Sequence, residues 1–94
     1  MQKESGQKNI VIAGYVRTPF TFASKGELAT VRPDDMAALA VRELVNRSGV
    51  DVQDIEDLIM GCAFPEGEQG FNVARLVVNL ADLSNSVAGT TVNR

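Results

Sequence analysis

The 94-residue sequence has no histidine, no tryptophan, one cysteine and one tyrosine. A single cysteine forbids an internal disulfide, and without histidine the usual zinc-site spacings are missing. A lone thiol fits a reducing, cytosolic setting. No apolar run approaches the roughly 20 residues of a membrane-spanning helix. The polar opening, Met1 to Lys8, lacks the apolar centre of a signal peptide. There is no internal repeat and no low-complexity stretch. The nine basic and twelve acidic residues give a net charge of −3 and are scattered. That leaves no clustered basic face of the kind nucleic acid requires. What is present is a hydrophobic fraction of 45%, ordinary for a globular chain and too high for a disordered one. A chain of this size buries only about 60% of the surface it exposes when unfolded, so its stability is marginal.

Ile10-Val11-Ile12-Ala13 is a run rich in β-branched residues that ends at Gly14. It reads as a strand buried on both faces. Arg17 to Arg32, with Pro19 and Gly26, is a connection long enough to be functional or mobile. Pro33 suits a first helical turn, and Asp34 and Asp35 complement the positive end of a helix dipole. The helix is expected to run to about Ser48 and to stop at Gly49. Met36, Ala37, Ala40, Val41, Leu44 and Val45 share one half of its wheel. Asp51 to Ile55 reads as a short turn, and Leu58-Ile59-Met60 as a second strand. After a loop at Pro65 to Gly70, Asn72 is a good N-cap for a helix reaching about Leu83. That helix is apolar over about two-thirds of its wheel, which requires cover on more than one side. Thr90-Thr91-Val92 is the third strand. The alternation argues for a parallel sheet with right-handed crossovers. Its first strand should be central, with a second neighbour supplied by later sequence.

Several features invite a functional reading. Cys62 follows a strand and has no basic neighbour to lower its pKa, so it reads as a small buried apolar side chain. The loop Glu66-Gly67-Glu68-Gln69-Gly70 resembles a phosphate cradle, but its two carboxylates would repel an anion, and a structural loop is the better reading. Asp34, Asp35, Asp51, Asp54, Glu56 and Asp57 do not form a calcium-loop pattern. They read as helix-end and turn charges. Arg17 lies just past a strand's carboxyl end, where open α/β sheets place ligands. It either meets an anionic ligand or a partner loop, or pins a turn through backbone carbonyls, and the second is favoured. Arg75 and Asn79, one turn apart, are placed to anchor a loop or a subunit contact.

Arg17-Thr18-Pro19-Phe20, Arg32-Pro33-Asp34-Asp35, Ile59-Met60-Gly61-Cys62, Glu68 to Arg75 and the closing Ala88 to Arg94 occur in the order and spacing of thiolases. From about Ile10 to Arg94 the chain resembles the amino-terminal quarter of the 3-ketoacyl-CoA branch of that family. The resemblance implies residues 1–94 as the first part of a thiolase N-terminal domain. The fold class it implies is α/β, a β-α-β-α-β portion of a mixed five-stranded sheet covered by helices. The implied enzyme is a cytoplasmic acyltransferase of fatty-acid β-oxidation, or a biosynthetic variant joining two acetyl-CoA units. CoA and acyl-CoA are its substrates, and this segment binds no cofactor and no metal. In such enzymes a nucleophilic cysteine follows almost directly after the stretch matched by Thr91 to Arg94. A histidine activates it, and a second cysteine moves protons. None of these three groups has a counterpart here, so no catalytic residue is assigned, and Asn93 and Arg94 are expected to orient the cysteine loop. The resemblance also implies a homodimer or tetramer through Thr90, Thr91 and Val92 and the helix Val73 to Leu83, with neither nucleic acid nor membrane as partner. A non-enzymatic dimerisation or binding module is the alternative, and a ketoacyl synthase fits the motifs less well.

Overall fold

The computed structural model describes residues 9–93. The readings placed on Met1 to Lys8 and on Arg94 lie outside the described residues. Four elements form the fold: helix α1 (Pro33–Ser48), strand β1 (Asp57–Gly61), helix α2 (Val73–Leu80) and strand β2 (Ala88–Val92). β1 and β2 pair in parallel, with Leu58 opposite Gly89 and Met60 opposite Thr91. The unit β1–α2–β2 is therefore a parallel crossover whose connecting helix packs back on its own sheet.

α1 has the predicted bounds. Pro33 occupies its first turn, and Gly49 ends it in the left-handed region at φ 72°, donating its N–H to the Val45 carbonyl. Only glycine takes that conformation without a steric cost. The predicted stripe, Met36, Ala37, Ala40, Val41, Leu44 and Val45, is partly buried throughout, but the deepest positions are two that it does not include. Ala38 is the helix's most buried apolar residue, flanked by Ala37, Val41 and Val45, and Asp34 one turn earlier is also buried. Asp34 is thus more than a solvated dipole charge. Arg32 grips its carboxylate with two hydrogen bonds of 3.1 and 3.0 Å, and the Asp35 N–H donates to the same carboxylate at 2.8 Å.

α2 is the centre of the core. Val73, Ala74, Val77 and Val78 are buried, together with Ala81, Leu83 and Val87 beyond its end. Burial of each valine contributes roughly 1.5–3 kcal/mol. The apolar wheel is explained inside the chain: α2 lies against both strands and against α1. It ends at Leu80, three residues before the predicted Leu83. Asp82 takes a left-handed conformation (φ 58°). The Leu83 N–H then donates to Val78 O at 3.1 Å, and the Asp82 N–H donates to Asn79 O at 3.2 Å. That pair of bonds is a Schellman ending, and it folds Leu83 back onto Val78.

The expected first strand, Ile10 to Ala13, is not one. It has no sheet partner among the described residues, and Ile10 and Ile12 are 94% and 93% exposed. Composition describes what a strand would bury, whereas a strand exists only where a neighbour completes its hydrogen bonds. The described sheet accordingly has two strands, and helices cover one of its faces. Leu58, Met60, Gly89 and Thr91 point inward, while Asp57, Ile59, Ala88, Thr90 and Val92 are exposed on the other face.

Candidate functional site

The side-chain hydrogen bonds that tie separate elements together concentrate between the start of α2 and strand β2. Asn72 stands in the N-cap position but does not cap in the usual way. Its backbone is left-handed (φ 56°, ψ 75°), and its side chain accepts no bond from the first turn of α2. The side chain instead crosses to β2. Nδ2 donates to Gly89 O at 3.0 Å, and Oδ1 accepts from the Thr91 hydroxyl at 2.6 Å. The Thr91 Oγ1 in turn accepts the Ala74 N–H at 3.1 Å. A residue 17 positions away thus caps the helix, satisfying a donor that the helix itself leaves unpaired.

Two further residues fix this junction. Arg75 reaches from α2 to the Val87 carbonyl at 2.7 Å, just before β2 starts. This is the loop-anchoring role offered for it by its position, and it uses charge to strengthen the bond. Gly89 faces the helix so closely that a Cβ there would lie 2.7 Å from Arg75 N and 2.8 Å from Arg75 Cα. Only a glycine allows strand and helix to approach this far.

Cys62 adjoins the end of β2. Its N–H donates to Val92 O at 2.9 Å, extending the ladder beyond β1, and its side chain packs half-buried against the core. It serves as the small apolar residue that its sequence context implies. The loop at Glu66 to Gly70 spends its donors internally: Gln69 N–H goes to Glu66 O, and Gly70 N–H to Gly67 O. Gln69 Nε2 also donates to Phe64 O at 3.0 Å, and Arg32 approaches Glu68 at 3.8 Å. The loop is thus braced from within, with those N–H groups unavailable to a phosphate.

Asp51 accepts the Gln53 N–H at 2.9 Å and so initiates a single 3₁₀ turn. Arg17 is exposed and makes a long bond, 3.4 Å, to its neighbour's Thr18 carbonyl, in keeping with the turn reading. Asn79 accepts the Asp82 N–H through its backbone carbonyl. Asn93 is exposed beyond β2. Among the described residues no group of three or more His, Cys, Asp or Glu side chains is placed to hold a metal. No described helix is long and apolar enough to cross a membrane.

The sequence places Thr91 on a strand and Asn72 at a helix start without linking them. One local signal is present. The residue three after Asn72 is Arg75, not the Glu or Gln of a capping box, so the local cap is incomplete. The bidentate Arg32–Asp34 grip and the tight contact at Gly89 have no equivalent local signal.

These features can be set beside known proteins. The family described as "Thiolase, N-terminal domain" matches residues 10–94. The chain is 52% identical over 87 residues to a 3-ketoacyl-CoA thiolase of Bacillus subtilis (strain 168), covering 93% of this chain and 22% of that protein. A 3-ketoacyl-CoA thiolase of Acinetobacter baylyi is 45% identical, with the same two coverages. The 3-oxoadipyl-CoA/3-oxo-5,6-dehydrosuberyl-CoA thiolase of Escherichia coli (strain K12) is 48% identical over 80 residues, 84% of this chain and 20% of that protein. The chain therefore spans about a fifth of the length of these curated relatives. By that match over nearly all of its length, the chain belongs to the thiolase family.

Proposed function

We propose that these residues are the opening part of an acyltransferase that exchanges acyl groups between CoA thioesters. In this reading a nucleophilic cysteine follows Arg94, takes the acyl group as a thioester and passes it to the second substrate in a ping-pong scheme. A helix N-terminus at that point lowers the thiol's pKa, and a backbone N–H there stabilises the developing oxyanion. The observation that carries the reading is the way β2 is fixed along its length against the start of α2. Asn72, Thr91, Arg75 and Gly89 together register α2 against the strand that would deliver the nucleophile. The names of the relatives, 3-ketoacyl-CoA thiolases, support the substrate class.

In the same reading the two strands belong to a mixed five-stranded sheet covered by helices on both faces. The exposed Ile10, Val11, Ile12 and Ile59 support this, because a parallel sheet is normally covered on both sides. The subunits associate as a homo-oligomer through the outer edge of β2, at Thr90, Thr91 and Val92. Support for that contact comes from the strand, which among the described residues pairs on one side only. The setting is the cytoplasm.

The test begins with the intact mass of the purified protein. A mass near 10.1 kDa sinks the enzymatic reading and leaves a binding module. With a larger chain, CoA-dependent cleavage of a 3-ketoacyl-CoA is measured, and the peptide that trypsin releases after Arg94 is searched for a thioester-bound acyl group. Absence of both cleavage and adduct removes the proposal.

A further inference from the structure

We propose that Asn72 and Thr91 are positioning residues. Together they form a side-chain clamp that sets the height at which β2 leaves the sheet, and hence the placement of the nucleophile beyond it. This rests on the function proposed above. Asn72 grips β2 at two residues of one face, the Gly89 carbonyl at 3.0 Å and the Thr91 hydroxyl at 2.6 Å. Thr91 uses its hydroxyl in both directions, donating to Asn72 and accepting from Ala74 N–H at 3.1 Å. The start of α2 and the inward face of β2 are thereby locked in register with no slack bond between them. Threonine suits the task because its branched side chain is stiff at χ1, so the hydroxyl is held in place when the strand is.

Backbone conformation supplies the second observation. Phe71 and Asn72 are both left-handed, at φ 55° and 56°. Asparagine tolerates that region, but a bulky residue such as Phe71 persists there only when its surroundings over-determine it. Burial does not hold Phe71, which is 94% exposed. The two side-chain bonds of Asn72 are what hold this turn in shape. Strain is thus retained at the start of α2, beside the residue that bonds to Gly89 and Thr91 of β2. Gly89 completes the device by permitting the approach at which these bonds have good length.

The test uses the full-length enzyme and three variants, Thr91→Val, Thr91→Ser and Asn72→Gly. Two quantities are read: kcat and KM for CoA-dependent cleavage of a 3-ketoacyl-CoA, and the pH profile of thiol inactivation by iodoacetamide. Misplacement of a reacting group by a fraction of an ångström to an ångström costs about 10- to 100-fold in rate. Thr91→Val and Asn72→Gly are therefore expected to lose about that factor in kcat with KM little changed. The midpoint of inactivation should move to higher pH as the thiol leaves its helix N-terminus. Thr91→Ser, which keeps the hydroxyl, should restore both readouts.

Asn72→Gly keeps the left-handed turn at no steric cost and removes only the clamp. It decides the matter even where Thr91→Val fails to fold. Folded Asn72→Gly with the parent's kcat and pH midpoint overturns the clamp, as does a Thr91→Ser enzyme no better than Thr91→Val. If the parent enzyme itself shows neither cleavage nor an alkylatable thiol, the function reading falls and this inference with it. If the parent reacts and the variants match it, only the inference falls.

Discussion

Gly89→Ala tests directly how closely β2 and α2 approach. The added Cβ would sit 2.7 Å from Arg75 N, 2.8 Å from Arg75 Cα and 3.0 Å from the Ala74 carbonyl carbon. All three atoms are backbone, so no side chain can rotate away. Strand and helix must part by roughly 0.7 Å before the closest of these contacts becomes ordinary. Overpacking of this kind costs about 1–3 kcal/mol. The same separation stretches the Asn72–Gly89 and Ala74–Thr91 hydrogen bonds, each worth about 0.5–1.5 kcal/mol. A loss of about 2–4 kcal/mol follows, a large share of the 5–15 kcal/mol that folded domains possess. Gly61→Ala is the internal control. It lies in the neighbouring strand, and a Cβ added there would meet no atom within 4 Å. Relief of glycine's backbone entropy should make that change neutral or stabilising by up to about 1 kcal/mol. Urea denaturation gives the stabilities, and amide exchange at Ala74 and Arg75 locates the damage. A Gly89→Ala protein as stable as Gly61→Ala, with unchanged exchange at Ala74, would refute the close-approach argument.

Asp34 supplies a pH-dependent prediction. The Arg32 side-chain hydrogen bond holds its carboxyl below the ordinary value of 3.8. A carboxylate depressed in the folded state contributes stability that is present above its unfolded pKa and lost as pH falls through the folded one. Asp34→Asn should therefore be less stable than the parent at about pH 6, with the gap closing as the pH is lowered below 3.8 in denaturation series. A gap that is independent of pH would count against the pairing. At the Schellman ending, Asp82 is left-handed and ion-paired to Arg42 at 2.8 Å, with both side chains largely exposed. Asp82→Gly should change stability by less than about 1 kcal/mol, because exposed pairs contribute little and glycine suits the turn. Asp82→Val should cost about 1–2 kcal/mol or more, since a β-branched residue resists that conformation. Thermal melts of the two variants separate the cases. Cys62→Ala in the full-length protein should leave the acyl transfer proposed above close to the parent's rate, since Cys62 acts through packing and its backbone N–H. A loss of several orders of magnitude in kcat would make it a catalytic group.

Legibility in the sequence tracks how local each cause is. Pro33 and Gly49 are local signals, and α1 begins and ends where they stand. Asp51 likewise starts its turn through a bond two residues long. The early end of α2 is less visible, because the left-handed residue is Asp82 and not a glycine. Its conformation is favoured by the return of Leu83 to Val78. On α1 the predicted stripe is partly buried, but periodicity ranks residues by apolarity and so misses Asp34, which is buried with its carboxylate bound by Arg32. Ile10 to Ala13 fails as a strand because pairing belongs to two segments, and composition reads only one. The clamp joins residues 17 and 19 positions apart through side chains, which no periodic pattern encodes.

The two strands divide their tasks, and the division follows from four inward residues. β1 turns Leu58 and Met60 to the helices, side chains large enough to add apolar surface to the core. β2 turns Gly89 and Thr91, which bury little and instead allow contact and hydrogen bonding at short range. One strand therefore contributes burial and the other geometry. Truncating Leu58 to alanine should lower stability without moving β2, because its loss is one of transfer and cavity formation. Changing Thr91 to valine preserves volume approximately and removes two of the bonds that hold the helix and strand in register. The ranking of the two substitutions should thus invert between assays, with Leu58→Ala the worse in denaturation and Thr91→Val the worse in turnover. A common ranking in both assays would mean that stability alone governs activity here, and that β2 has no separate positional role.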